Sequence, residues 1–523
     1  MQSASKKAIL LIVLLLISIA PGISSEETNI EVNNNEFGFL PVNETYSFNG
    51  KNNHPQNPDY NSVNTDLSRI APSAGNAEVD WISRSNNPSA REISNVLCSV
   101  ETSPVDEQGL SDFNWIWGQF LSHDISFVLT QNGRVEVPER INIPIPEGDE
   151  WMDPYNIGSL LIPLHRSIFN QSTGTQNVPR EFPNSITGWL DGSHVYGSSL
   201  NNNNWFRSFT DGKLKVSYGY IGDFLPIAPE DDENAPPVSF AGFSPSERYV
   251  AGDPRANEHA ALTSLHVLFL REHNLLADEI KSENPQLNDE EIFHIARKIN
   301  IAQMQYITYY EYLPSLGIDL PKYNGFDELV DPSVSNSFAT LAFRMGHSQI
   351  TNITKRLDAN FEESRFGHIS MKDGFWDPER LTYEGGIAPV FRGAAVTTQA
   401  ANDIFMVDDL RNSMFGDPGF GGLDMCAIDI QRGRDHGIPD YNTIRESFGL
   451  NKISNWTEIT ENQEVLQRLY QIYPDLSTVD PIMGMYAERH ENNSVLGETM
   501  NSILTDQYQR LRDGDILYFE NDL

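Results

Sequence analysis

Cysteine is nearly absent from this chain of 523 residues: Cys98 and Cys426 are the only two. A framework of several disulfides is therefore excluded, as are zinc and iron–sulfur sites that need four thiolates. The two thiols can pair once or stay apart, and their spacing does not choose. Positive charge is also scarce. Lys and Arg total 36 against 73 Asp and Glu, a formal net charge of −37. Such a surface repels nucleic acid and anionic membranes, which excludes both as partners. Strand-like alternation is short and rare, and there is no repeat of solenoid length. Beyond the N-terminal segment, no apolar run is long enough to cross a bilayer.

A large apolar complement is present instead. Hydrophobic residues make up 39% and aromatics 10%, enough for a sizeable core and too much for wholesale disorder. Lys6 and Lys7 precede an apolar run from Ala8 to Ala20, and small residues follow at Gly22 to Ser25. That order predicts a secretory signal peptide over 1–25; left uncleaved, the same run would be an anchor. Cleavage would leave a secreted, extracellular protein with no membrane attachment. Residues 26–60 are rich in Asn, Glu and Gly and predict an N-terminal arm. Residues 61–523 then form the main domain.

Helical spacing of apolar residues predicts helices over Ser111–Phe127, Ala260–Lys281, Asp289–Tyr312 and Ser335–Ile350. The stretch Asn132–Ser185, rich in Pro, Gly and Asn, predicts loop. The fold class expected is mainly α: a single large helical domain with long loops and little β.

Five segments carry residues suited to chemistry. In Trp117-Gly-Gln-Phe-Leu-Ser-His-Asp124, helical geometry puts Gln119, Ser122 and His123 on one face, with Asp124 turned about 100° away. A lone helical His is more often a core residue. In Thr187-Gly-Trp-Leu-Asp-Gly-Ser193, oxygen-bearing side chains recur at 187, 191 and 193, which suits a hard cation or an ordinary turn. Arg255 and Glu258 sit where the helix over 260–281 begins, as terminal charges or as groups held over a pocket. Arg344 and His347 are three apart and face the same way on a helix. Asp429-Ile-Gln-Arg-Gly-Arg-Asp-His-Gly437 reads first as a buried ion-pair network.

Taken in this order, with Leu270-Arg-Glu-His-Asn274 between them, these words resemble the animal-type haem peroxidases of the peroxidase–cyclooxygenase superfamily. The resemblance runs from about Tyr46 to the C-terminal region. It implies haem b as cofactor and hydrogen peroxide as oxidant. Small anionic or phenolic substrates (bromide, iodide, thiocyanate, phenols) would be oxidised through a ferryl intermediate. Position by position it implies His123 as the distal base, Gln119 as its amide partner and Arg255 as the distal cation. His347 would be the iron ligand and Asp429 its hydrogen-bond partner, with Arg344 and Arg432 near the propionates. Asp124, Thr187, Trp189 (through its carbonyl), Asp191 and Ser193 would bind calcium. Glu258 would form an ester to the haem.

Three positions depart from the pattern. Ser122 stands where many members carry a second ester-forming Asp, and His259 where some carry a sulfonium-forming Met. Asp429 replaces the usual Asn beside the iron ligand, which makes His347 more basic and the iron harder to reduce. The resemblance so amended implies one ester at most and a weaker oxidant than the chloride-oxidising members. Arg344 also occupies the position of the radical-forming Tyr of the cyclooxygenase branch, which argues against a fatty-acid dioxygenase. The alternative is an adhesion or matrix protein that keeps the fold with little catalysis.

Overall fold

The computed structural model describes residues 45–523 except 220, 240–246, 492 and 523. The expected signal peptide, and the arm up to residue 44, lie outside the described residues. Residues 45–60 are packed onto the domain. Tyr46 is buried; its carbonyl accepts from Arg297 Nη1 at 2.7 Å, and its hydroxyl accepts from Gln305 Nε2 at 2.8 Å and donates to Asp515.

The main helices are α1 (Ala90–Leu97), α2 (Phe113–Ile125), α3 (Ala260–Glu283), α4 (Asp289–Ile307), α5 (Ile387–Val396), α6 (Met425–Asp435), α7 (Pro481–Ala487) and α8 (Glu498–Asp513). Strand is confined, among the described residues, to three antiparallel pairs: β1 (Ile143–Pro144) with β2 (Leu161–Ile162), β3 (Ser217–Gly219) with β4 (Gly222–Phe224), and β5 (Ile353–Thr354) with β6 (Ile369–Ser370). The mainly helical fold class holds, and 132–185 is loop apart from β1, β2 and isolated bridges.

Helix α2 is apolar on most of its circumference. Trp115, Ile116, Trp117, Phe120, Leu121 and Ile125 are all buried, which places it inside the domain rather than on its surface. It packs against α3, which packs in turn against α4 and α5. Helix α4 starts where Asn288 accepts from the Glu290 and Glu291 amides while Glu291 reaches back to the Asn288 amide, a reciprocal cap. It ends in a π turn over Thr308–Tyr312. On the other side α6 packs against α1 and α7. Cys98, which caps α1, and Cys426, in α6, are joined as a disulfide and fully buried.

The helix expected over Ser335–Ile350 is not continuous. It breaks into Asn336–Thr340, a 3-10 turn Ala342–Arg344 and a short helix Gly346–Gln349, with Leu341 leaving helical geometry at φ −123°, ψ −78°. Phe338, Leu341, Ala342 and Met345 are buried all the same. Their spacing is satisfied by either geometry, so periodicity alone could not show the break.

Candidate active site

Three elements meet around one cluster of polar side chains. From α2, His123 and Gln119 face the same way. Gln119 Nε2 donates to Glu258 Oε2 at 3.4 Å, and His123 Nε2 lies 4.0 Å from the same oxygen. Ser122 turns back onto its own helix and donates to the Gln119 carbonyl at 2.8 Å. Arg255 and Glu258 come from the turn before α3 rather than from the helix itself, which begins at Ala260 with His259 as its cap. His259 is occupied there: Nδ1 accepts from the Ala261 amide and Nε2 pairs with Thr354.

Arg255 is held by a residue that the motif reading did not single out. Asp253 Oδ1 accepts from Arg255 Nε at 2.9 Å and Oδ2 accepts from Nη2 at 2.7 Å. The guanidinium lies over the Phe127 ring, 4.1 Å from its centroid. Burial drives the His123 imidazole well below its ordinary pKa, and the charges of Arg255 and His194 push it the same way. It is therefore neutral at neutral pH, with a lone pair to offer. Burial pushes the Glu258 carboxyl up, opposed by Arg255 and His347.

His347 stands on the short helix Gly346–Gln349, which packs against α2. Its Nδ1 pairs with Asp429 Oδ2 at 2.6 Å, and Arg344 Nη1 donates to Asp429 Oδ1 at 2.6 Å. Asp429, on α6, is fully buried. Burial raises its carboxyl pKa, but His347 and Arg344 outweigh that and leave it below the ordinary range. The imidazole is thus anchored by one nitrogen and keeps Nε2 for a metal. Arg344 Nε is a buried donor without a partner among the described residues. Arg432, on α6, is committed elsewhere: Nη1 donates to Asp435 at 2.7 Å, Ser167 at 2.9 Å and the His165 carbonyl at 3.1 Å.

Behind α2 the 187–193 loop comes together with Asp124. Thr187 Oγ1 donates to Asp191 Oδ2 at 2.9 Å, and Ser193 Oγ donates to Asp124 Oδ1 at 3.0 Å. Thr187, Trp189, Asp191, Ser193 and Asp124 are all buried. Burial raises the Asp191 carboxyl well above its usual range, and the Asp124 charge adds to that. Two buried carboxylates so placed call for a cation. Among the described residues no three His, Cys, Asp or Glu side chains gather as a metal set. Any ion here would draw on the hydroxyls and a carbonyl, as calcium does. His194 Nδ1, 2.8 Å from Asp124 Oδ1, is a further partner that the loop spacing did not reveal.

The model of the animal haem peroxidase family matches residues 45–523. The chain belongs to that family. This haem peroxidase is an oxidoreductase that uses hydrogen peroxide. It is 33% identical to peroxinectin A of Dictyostelium discoideum over 91% of this chain and 88% of that one. It is also 33% identical to thyroid peroxidase of Sus scrofa, over 83% of this chain but 51% of that protein. Among solved structures it is similar to peroxidase A of Dictyostelium discoideum, with a TM-score of 0.85 and 32% identity over 91% of this chain and 92% of that one. A fatty acid alpha-dioxygenase of Oryza sativa shares the fold at a TM-score of 0.73 and 20% identity, over 93% of this chain and 81% of that one. No helix among the described residues is long and apolar enough to cross a membrane.

In this peroxidase Asp429 should impose an acid limit on stability. Its carboxyl pKa is lower in the folded protein than the ordinary 3.8. Its contribution is then complete above that value and is lost as the pH falls toward the folded one. Asp429→Asn should flatten the dependence of the urea midpoint on pH between about 4 and 2. A variant that loses stability in parallel with the unaltered protein over that range would place the acid sensitivity elsewhere.

Proposed function

We propose that this chain is a secreted peroxidase that oxidises bromide, iodide, thiocyanate or phenols. The observation that carries the reading is the pairing, on one cluster, of a neutral buried imidazole and a cation with an imidazole whose outer nitrogen is free. When bound, haem b supplies an iron centre that takes up oxygen from peroxide and draws electrons from the substrate. His347 would hold that iron through Nε2, with Asp429 on Nδ1 fixing the tautomer and raising ligand basicity. Arg344, with a buried donor to spare, suits a propionate. Arg432, tied to Asp435, would support from behind.

His123 takes the peroxide proton on Nε2 and returns it to the departing oxygen. Arg255 steadies the negative charge that grows on that oxygen. Gln119 holds Glu258 beside them. Asp124, Thr187, the Trp189 carbonyl, Asp191 and Ser193 would hold calcium, and because Asp124 follows His123 this would lock α2 in register. Glu258, 4.0 Å from His123 Nε2, would be the carboxylate that forms a single ester to a haem methyl, with peroxide as the two-electron oxidant that removes the C–H hydrogen. Ser122, turned onto the Gln119 carbonyl, forms none. One ester and a basic iron ligand make a modest oxidant, which favours the easily oxidised donors over chloride. Residues 1–25 act as a signal peptide. Residues 61–523 form the catalytic domain, preceded by the 26–60 arm.

The test is a panel of donors offered with peroxide to the purified haem protein, with His347→Ala as control. Turnover of iodide, thiocyanate and phenols is expected, and His347→Ala should lose stable haem and all turnover. A normal haem spectrum in that variant would overturn the ligand assignment, and a haem protein inert to every donor would favour the matrix-protein reading. Asp191→Ala should lower bound calcium and the melting temperature together; unchanged calcium content would remove the loop from the site. After peroxide treatment, mass spectrometry of peptides spanning 251–271 should show a haem adduct that Glu258→Gln abolishes. Its absence from the intact enzyme would remove the ester and leave the peroxidase reading intact.

A further inference from the structure

Asp253 pairs with Arg255 and lies 3.6 Å from His123, yet it has neither of the roles assigned to them. It is 1% exposed. Its two oxygens take the Nε and Nη2 edge of Arg255, and Oδ1 also accepts from the Arg255 amide at 2.8 Å. Arg255 Nη2 has a second acceptor in the Ser126 carbonyl at 3.1 Å. With that edge consumed and one face against Phe127, Nη1 is the nitrogen left to meet a reactant. The same Oδ1 is 3.6 Å from His123 Nδ1, which is buried and has no hydrogen-bond partner among the described residues.

The backbone explains why the carboxylate stays there. The Asp253 amide donates to the His194 carbonyl at 3.2 Å. At Gly252 a Cβ would fall 2.3 Å from the Ser193 carbonyl oxygen and 2.6 Å from the Gly197 nitrogen, so only glycine lets the two segments approach this closely. The turn carrying Asp253 is thereby pressed onto the 193–197 turn, next to the loop that faces Asp124.

We propose that Asp253 is the positioning residue for peroxide activation. It holds Arg255 by one edge and faces His123 Nδ1 at 3.6 Å, which favours the proton on Nδ1 and leaves Nε2 unprotonated toward the reactant. The proton moves from the reactant oxygen to His123 Nε2, while Nδ1–H stays on the ring, steadied by the carboxylate. The separation of 3.6 Å shortens to a hydrogen bond as the ring becomes positively charged. The inference rests on His123 being the base, as proposed above.

Cyanide binding to the haem-loaded full chain separates the two, because hydrogen cyanide must also surrender a proton to bind ferric iron but needs no oxidation chemistry. Followed by stopped flow in the haem absorption band, Asp253→Asn should slow both cyanide binding and the peroxide reaction by about 10- to 100-fold. Haem content and the resting ferric spectrum should be unchanged, and Asp253→Glu should recover part of the rate. In a His123→Ala background, Asp253→Asn should slow cyanide binding by less than about twofold further, since it acts through the missing base. A full cyanide rate in Asp253→Asn alongside a slow His123→Ala overturns the proposal, as does an undiminished penalty in the double variant. If His123→Ala itself binds cyanide at full rate, the base assignment falls and takes the proposal with it. Should Asp253→Asn fail to take up haem, Asp253→Glu decides. Its carboxylate, one methylene further out, must slow cyanide binding by about threefold or more, and an unaltered rate overturns the inference.

Discussion

A carboxylate stripped of water is costly unless it is paired or protonated, and around the site of this protein it is paired. Asp429 shows it most directly. Fully buried on α6, it draws the Arg344 guanidinium and the His347 imidazole onto its two oxygens, and so fixes a broken stretch of chain against a regular helix. The pattern repeats away from the site. Arg91 spans Asp149 and Asp424, Arg84 and Arg434 share Asp480, and Arg166 joins Arg432 on Asp435. With 36 basic residues against 73 acidic ones, the arginines are spent inside, and the surface is left strongly acidic.

The same electrostatics set the chemistry. His123 sits in a dry environment beside Arg255, which keeps it neutral with a lone pair unprotonated. His347, by contrast, is paired through Nδ1 with a buried carboxylate and keeps Nε2 free. Two imidazoles of identical intrinsic chemistry are thus given opposite surroundings by their neighbours. Asp253 and His194 belong to this division of labour: the first pairs with Arg255 and approaches His123, the second pairs with Asp124.

The likeness to a fatty acid alpha-dioxygenase extends to the fold alone. Chemistry parts from fold at single positions. Three residues before His347 stands Arg344, bound to Asp429. The peroxide chemistry of this chain follows from its family and not from the shared fold.

The sequence by itself determined the helical class, and it marked His123, Arg255, Glu258, His347 and the oxygen-rich 187–193 loop as candidates. Each of these is written in local spacing or in a contiguous word, and local signals survive without knowledge of the fold. Tertiary structure alone decided the rest. It joined Cys98 to Cys426 across 328 residues, broke the segment 335–350 where apolar spacing read as continuous, and sent Arg432 to Asp435. It also brought Asp253 and His194 to the site. Their partners depend on which loop a glycine such as Gly252 allows to come close, and that is a property of three-dimensional packing that spacing along the chain does not encode.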